Sequence, residues 1–149
     1  MENMVIPALR RGGYHYRNLV RIGLRFGANR PHIIDGLAWD DSGAVHLLSC
    51  KWQQTQGTAE QKVPFEVMCL VSVVTSKPVF TTDIACLECG EMCPSIPSEL
   101  SAYLILGGEG WKLRQFYVSG GLVQYMPDSK VVEIMTLEAF VAHANRGML

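Results

Sequence analysis

The chain predicts an α/β fold: a mixed sheet that begins as an antiparallel meander and continues through a crossover helix. Three observations carry this. Residues 19–26 alternate apolar and polar with period two, the mark of a half-buried strand. Residues 67–74 are apolar almost all round, as in a helix buried against a sheet. Ala102-Tyr-Leu-Ile-Leu106 is a short apolar run ended by Gly107-Gly108, as in a strand covered on both faces and laid parallel to its neighbour.

In the first strand Val20, Ile22, Leu24 and Phe26 take one face, and Leu19, Arg21, Gly23 and Arg25 take the other. Gly27-Ala28-Asn29 signals a turn. His32 to Trp39 returns, with Ile33, Asp35 and Leu37 expected on one face. An acid on a side shared with Ile and Leu is out of place in a purely structural strand. Asp40-Asp41-Ser42-Gly43 is the next turn, and Ala44 to Trp52 the third strand. Thr58 with Gln61 resembles a capping box, Pro64 suits a first turn or a local kink, and the helix is expected to run to about Thr75. Residues 77–100 read as irregular. A short helix is expected within Trp111 to Phe116, and a last strand over Val131 to Met135. Thr136 is then the N-cap of a closing helix, Leu137 to Asn145, ended by Gly147.

A length of 149 residues suits one domain with a core of its own, so residues 1–149 are taken as a single unit, with 1–16 as an N-terminal arm or oligomerisation segment. No apolar run is long enough for a membrane span. The start, MENMVIPALRR, lacks the order of a secretory signal, and five Cys do not suggest a disulfide framework. A cytoplasmic protein with no membrane partner is expected.

The formal net charge of −1 hides an asymmetry: residues 1–30 hold six Arg and one acid. Arginine suits bidentate contacts to phosphate, although a solvated basic strand face explains the same pattern.

The stretch with the most chemistry is Asp35, thirteen residues, Ser49-Cys50-Lys51-Trp52-Gln53, then Gly57-Thr-Ala-Glu60-Gln-Lys62-Val-Pro64-Phe-Glu66. It places an acid and a base on neighbouring strands. A carboxylate can hold a hard cation, and an ammonium beside it can help position an attacking water. A cross-strand salt bridge is the plainer explanation of the same pair.

On these residues the chain resembles the PD-(D/E)XK nuclease superfamily, with its restriction-endonuclease-like fold. Lys51-Trp52-Gln53, the run Gly57 to Glu66, Leu106-Gly-Gly-Glu-Gly-Trp111 and the tail around Glu138 all match. The likeness extends from about Arg17 onward. It implies that Asp35 is the metal-binding acid and Lys51 the basic residue. Position 49 departs from the pattern, with Ser where an acid is usual. Some restriction enzymes of this kind carry the second acid on the following helix, where Glu60 and Glu66 are available. At about 100° per residue these two lie about 120° apart, so one of them faces Asp35. Glu66 fits the family spacing better, and Glu60 is the reserve.

The implied activity is Mg²⁺-dependent hydrolysis of DNA, with Mn²⁺ able to substitute. Asp35, Glu66 and the backbone carbonyl of Cys50 would hold the ion. Lys51 would polarise the water, and Gln53 would orient water or phosphate beside it. Arg17, Arg21, Arg25 and Arg30 would attract the backbone of double-stranded DNA. Restriction, homing and phage or defence roles all fit the size. Cutting both strands would need two sites, hence a homodimer or homotetramer.

Two other classes stay open. A catalytically impaired nuclease-like module that binds DNA or protein is kept alive by Ser49. A zinc-stabilised interaction domain would centre on Cys86, Cys89 and Cys93, since a Cys-x₂-Cys loop can ligate Zn²⁺, with a His or Cys69 closing the tetrahedron. Cys50 and Cys69 read as small core hydrophobes. His15, His32, His46 and His143 show no ligand or triad spacing. Gly107-Gly108-Glu109-Gly110 lacks the Lys of a phosphate-binding loop and reads as a tight turn.

Overall fold

A computed structural model describes residues 2–24, 29–80 and 83–149. Its elements run α1 (Glu2–Arg11), β1 (His15–Leu24), β2 (Pro31–Trp39), β3 (Ala44–Trp52), α2 (Ala59–Ser76), β4 (Glu99–Gly107), α3 (Arg114–Val118), β5 (Val132–Thr136) and α4 (Leu137–Asn145), with two 3₁₀ turns between α3 and β5. Among the described residues there is one five-stranded sheet, in the order β1-β2-β3-β4-β5. The first two pairings are antiparallel and the last two parallel. The fold is the mixed α/β sheet with flanking helices that the sequence predicts. No described helix is long and apolar enough to cross a membrane.

The sheet has two cores. On one side α2 brings Val63, Val67, Leu70 and Val73 onto Leu37, Val45, Leu47, Leu104 and Leu106. On the other, α1 and α4 bring Ala8, Leu9, Phe140 and Ala144 onto Ala38, Leu48, Tyr103 and Ile105. Period-two alternation in β3 and β4 assigns each residue to a side. Ser49 and Lys51 share the parity of Val45 and Leu47, so they take the α2 side. The N-terminal segment expected as an arm forms α1, with Ala8 and Leu9 buried.

Two local expectations need correction. Asp35 does not share a buried face with Leu37, because β2 changes sides along its length. Ile34, Leu37 and Trp39 all pack under α2, whereas strict alternation would put Ile34 opposite the other two. Strand β1 makes a matching change, from Tyr16 on the α1 side to Val20 on the α2 side. The register pairs Asn18 with Gly36 and Val20 with Ile34, so the change falls on the residues between those pairs, Leu19 and Asp35. Leu19 takes it up with a φ of 50°, a left-handed conformation costly for a branched side chain. The second correction concerns Thr58: its side chain makes no cap bond, and its carbonyl accepts from the Gln61 amide instead.

Candidate active site

Strands β2 and β3 pair from Trp39↔Val45 to Gly36↔Leu48. Beyond Leu48, β3 keeps its pairing with β4 as far as Trp52 while β2 leaves it. A fork opens there. Asp35 stands on one prong and Ser49 to Lys51 on the other. The Cys50 amide donates to Asp35 Oδ2 at 2.6 Å, replacing the strand–strand bond that the fork interrupts. A strand residue's N–H and C=O leave on the same side, so the Cys50 carbonyl faces this edge as well.

Three charged groups converge on the fully buried Ser49 hydroxyl. It donates to Glu66 Oε1 at 2.7 Å and has Asp35 Oδ2 at 3.4 Å, while Lys51 Nζ donates to it at 3.0 Å. Lys51 Nζ also lies 3.6 Å from Glu66 Oε2. Among the described residues no ion pair joins Asp35 to Lys51, the arrangement a plain cross-strand salt bridge would show. Asp35 and Lys51 both reach the Ser49 hydroxyl, Lys51 from the α2 side and Asp35 from the edge of the fork, where it also borders the cavity under α1.

Glu66 reaches the fork from α2, one position before the buried Val67. Burial would push its carboxyl up. The His32 imidazole beside it, the Lys51 charge and the Ser49 hydroxyl outweigh burial and hold it at about 2. It is therefore ionised at neutral pH. Glu60, on the other side of the same helix, accepts the backbone amides of Lys112 and Leu113 and so ties α2 to the loop before α3.

His32 was missed as a site residue. It is buried, with Nε2 3.3 Å from Glu66 Oε1. The available signal was its parity with Ile34, which turns it inward beneath α2. Gln53 is directed away from the fork: Nε2 donates to the Gly110 carbonyl at 2.8 Å, and its backbone exchanges bonds with Gly107 and Gly110. Arg17 and Arg21 are exposed on β1, and Arg30 is exposed just before β2. Arg30 borders the hollow that holds His32 and Glu66, and Arg17 borders a cavity of about 240 Å³ shared with Asp35 and α1. Arg25 lies outside the described residues.

The donors at the fork fit a hard divalent cation. Two carboxylates, one of them ionised at neutral pH, approach a common hydroxyl beside a backbone carbonyl, an all-oxygen set of the kind Mg²⁺ takes. The cysteine set is different. Cys93 is buried in the α2-side core, with its thiol pushed up to about 11 by burial. Cys86, buried in the same core, and the exposed Cys89 meet His15.

Comparison with known proteins supplies one strong match. A family model described as a PD-(D/E)XK nuclease superfamily domain matches residues 33–148. No curated protein matches the chain. The solved structure titled "Protein of Unknown Function AF1548" is similar at a TM-score of 0.48 with 10% identity, over 89% of this chain and 54% of the other, so this chain spans about half that protein's length. Because the family model spans the fork, α2 and the closing helix, this chain belongs to the PD-(D/E)XK nuclease superfamily.

Proposed function

We propose that the chain is a Mg²⁺-dependent DNA endonuclease, with Asp35, Glu66 and the Cys50 carbonyl as metal ligands and Lys51 as the catalytic base-side cation. The observation that carries this reading is the meeting of Asp35, Glu66 and Lys51 around Ser49 Oγ. A bound divalent ion would lower the pKa of its water and polarise the phosphate. The chain's own groups do the rest. Asp35 and Glu66 hold oxygen ligands at the mouth of the fork, each oriented through Ser49 or the Cys50 amide. Lys51 donates toward the same point, where it can position the attacking water and offset charge gathering on phosphorus. Water adds to phosphorus, one bridging P–O bond breaks, and the leaving oxygen takes up a proton.

Arg17, Arg21, Arg25 and Arg30 supply attraction to the backbone of duplex DNA. Two copies of the chain, as a homodimer or within a homotetramer, would place one site on each strand. Restriction, homing and phage or defence roles share this chemistry. Ser49 in the place of an acid supports a second reading, a nuclease-like module that binds DNA without cutting it.

Plasmid nicking separates the two. Wild type with Mg²⁺ or Mn²⁺ should convert supercoiled DNA to open circles, while Lys51→Ala and Asp35→Asn, and wild type in EDTA, should leave it intact. If wild type is inert with either ion yet shifts DNA in a gel, the binding module is correct and the hydrolase reading is wrong.

A further inference from the structure

A second cluster lies at the far end of β2, where His15 pairs with Trp39. The segment after α2 folds back on itself: Ala85 bridges Met92, Cys86 N–H donates to the Glu91 carbonyl at 2.8 Å, and Cys93 N–H to the Ile84 carbonyl at 2.8 Å. Gly90, with a φ of 76°, closes the turn by donating to the Cys86 carbonyl at 3.2 Å. A residue with a Cβ is strained there. The turn puts Cys86 and Cys89 on one side, and Leu87 N–H donates to the Tyr16 carbonyl at 3.1 Å, docking that side onto β1. The Nδ1 of His15 then lies 3.3 Å from Cys89 Sγ. One ligand atom from each of His15, Cys86 and Cys89 falls within 4.8 Å of the other two.

The other face of the imidazole decides how it is used. His15 Nε2 lies 3.0 Å from Asp41 Oδ1. An ionised carboxylate only accepts, so the ring proton of a neutral His15 sits on Nε2 and the Nδ1 lone pair faces the sulfurs. A carboxylate behind the imidazole is the arrangement that orients metal-bound histidines. A tetrahedral Zn²⁺ with Zn–S of about 2.3 Å and Zn–N of about 2.1 Å needs ligand atoms roughly 3.5–3.8 Å apart. Here the His15–Cys89 separation is 3.3 Å and no pair exceeds 4.8 Å, a range that brackets that spacing.

We propose that His15 Nδ1, Cys86 Sγ and Cys89 Sγ bind one Zn²⁺, oriented by Asp41, with water in the fourth position. Two thiolates and an imidazole form a borderline-soft set that favours zinc over magnesium, so this site and the oxygen-lined fork select different ions. Its consequence is mechanical. Between α2 and β4 the described residues, 77–80 and 83–98, belong to no named element, a long connection for a compact domain. The ion cross-links this stretch to β1 and, through Asp41, to the β2–β3 turn. Arg10, which donates to Glu88 within the same turn, adds a link from α1.

The proposal does not depend on nuclease activity. The test is elemental analysis of the full chain, purified without a metal-binding tag under reducing conditions, with Co²⁺ replacement read by thiolate-to-metal charge-transfer absorption. One zinc per chain and a cobalt–thiolate band are expected. Cys89 is exposed, so Cys89→Ser should keep its circular dichroism while losing the zinc. Cys93→Ala should retain one zinc per chain. Asp41→Asn should weaken zinc about 10–100-fold in competition with a chromophoric chelator. A zinc-free chain with no cobalt band overturns the proposal. So does full zinc content in Cys89→Ser, or a Cys86–Cys89 disulfide found by alkylation and mass spectrometry.

Discussion

Ser49 has one hydroxyl proton and three charged neighbours. The proton goes to Glu66 at 2.7 Å, the lone pair takes Lys51 at 3.0 Å, and Asp35 stays at 3.4 Å. The hydroxyl therefore spaces the two carboxylates where an acid at this position would add a third negative charge. Glu66→Gln should remove metal-dependent nicking by about 10²-fold or more with little change in fold. Glu60→Ala should keep nicking while losing about 1 kcal/mol of stability, since it removes the carboxylate that the exposed amides of Lys112 and Leu113 donate to. Single-turnover cleavage and urea melts of both variants check the pair, and loss of nicking in Glu60→Ala alone would reverse the assignment. The Glu66 carboxyl also makes a pH statement for the metal-free protein. Its folded value of about 2 lies below the ordinary 4.5. The stability it contributes is complete above 4.5 and is lost as pH falls through that window, on the order of 3 kcal/mol in all. Glu66→Gln should flatten the acid limb of the urea midpoint.

At the scale of elements, the stretch Leu106 to Trp111 is explained by close backbone packing. The 107–110 turn lies against residues 53–55. A Cβ at Gly110 would meet the Thr55 carbonyl at 2.5 Å, and one at Gly108, where φ is +87°, would meet the Gln53 carbonyl at 2.3 Å. Trp111 Nε1 then donates back to the Gly107 carbonyl at 2.8 Å. Gln53 belongs to this device: its amide clamps Gly110 and fixes the end of β3 that carries Lys51. Gly110→Ala should cost about 2–3 kcal/mol and slow nicking by loosening that end. An unchanged urea midpoint would show that the two loops can part. The closing helix follows its sequence signal, with the Ala139 amide donating to the Thr136 hydroxyl at 3.2 Å. Thr58, by contrast, leaves its side chain unused at the start of α2, where Glu60 and the sheet fix the helix instead.

At the scale of the whole molecule, charge and burial set the conditions under which the chain works. A net charge of −1 gives no overall pull toward DNA, so binding must come from local arginines. Arg17→Ala and Arg21→Ala should each lower the slope of log affinity against log salt by about 0.9. Unchanged slopes in both variants would place the DNA elsewhere. The second condition is pH. His46, on β3 beside Ser101 of β4, is buried, and burial lowers its pKa below 6.5 although Asp40 and Glu99 act the other way. The unfolded chain takes up this proton first, so stability falls as pH drops below 6.5. His46→Gln should flatten that part of the profile, and an unchanged profile would assign the acid sensitivity to other groups.

By itself the sequence determined the order of elements from β1 to α4, the meander and the crossover, because hydrophobic period and turn residues act over a few positions. Through the family resemblance it also reduced the second acid to two glutamates, which helical geometry holds about 120° apart so that one of them faces Asp35. Tertiary structure decided which of the two faces Asp35, because that depends on how α2 rotates against the sheet. It likewise decided that Asp35 sits where two strands change sides together, that His32 turns toward Glu66, and that His15 rather than Cys93 joins Cys86 and Cys89. Each of these is a meeting of residues far apart in the chain, and only long-range packing brings such groups within a hydrogen bond of one another.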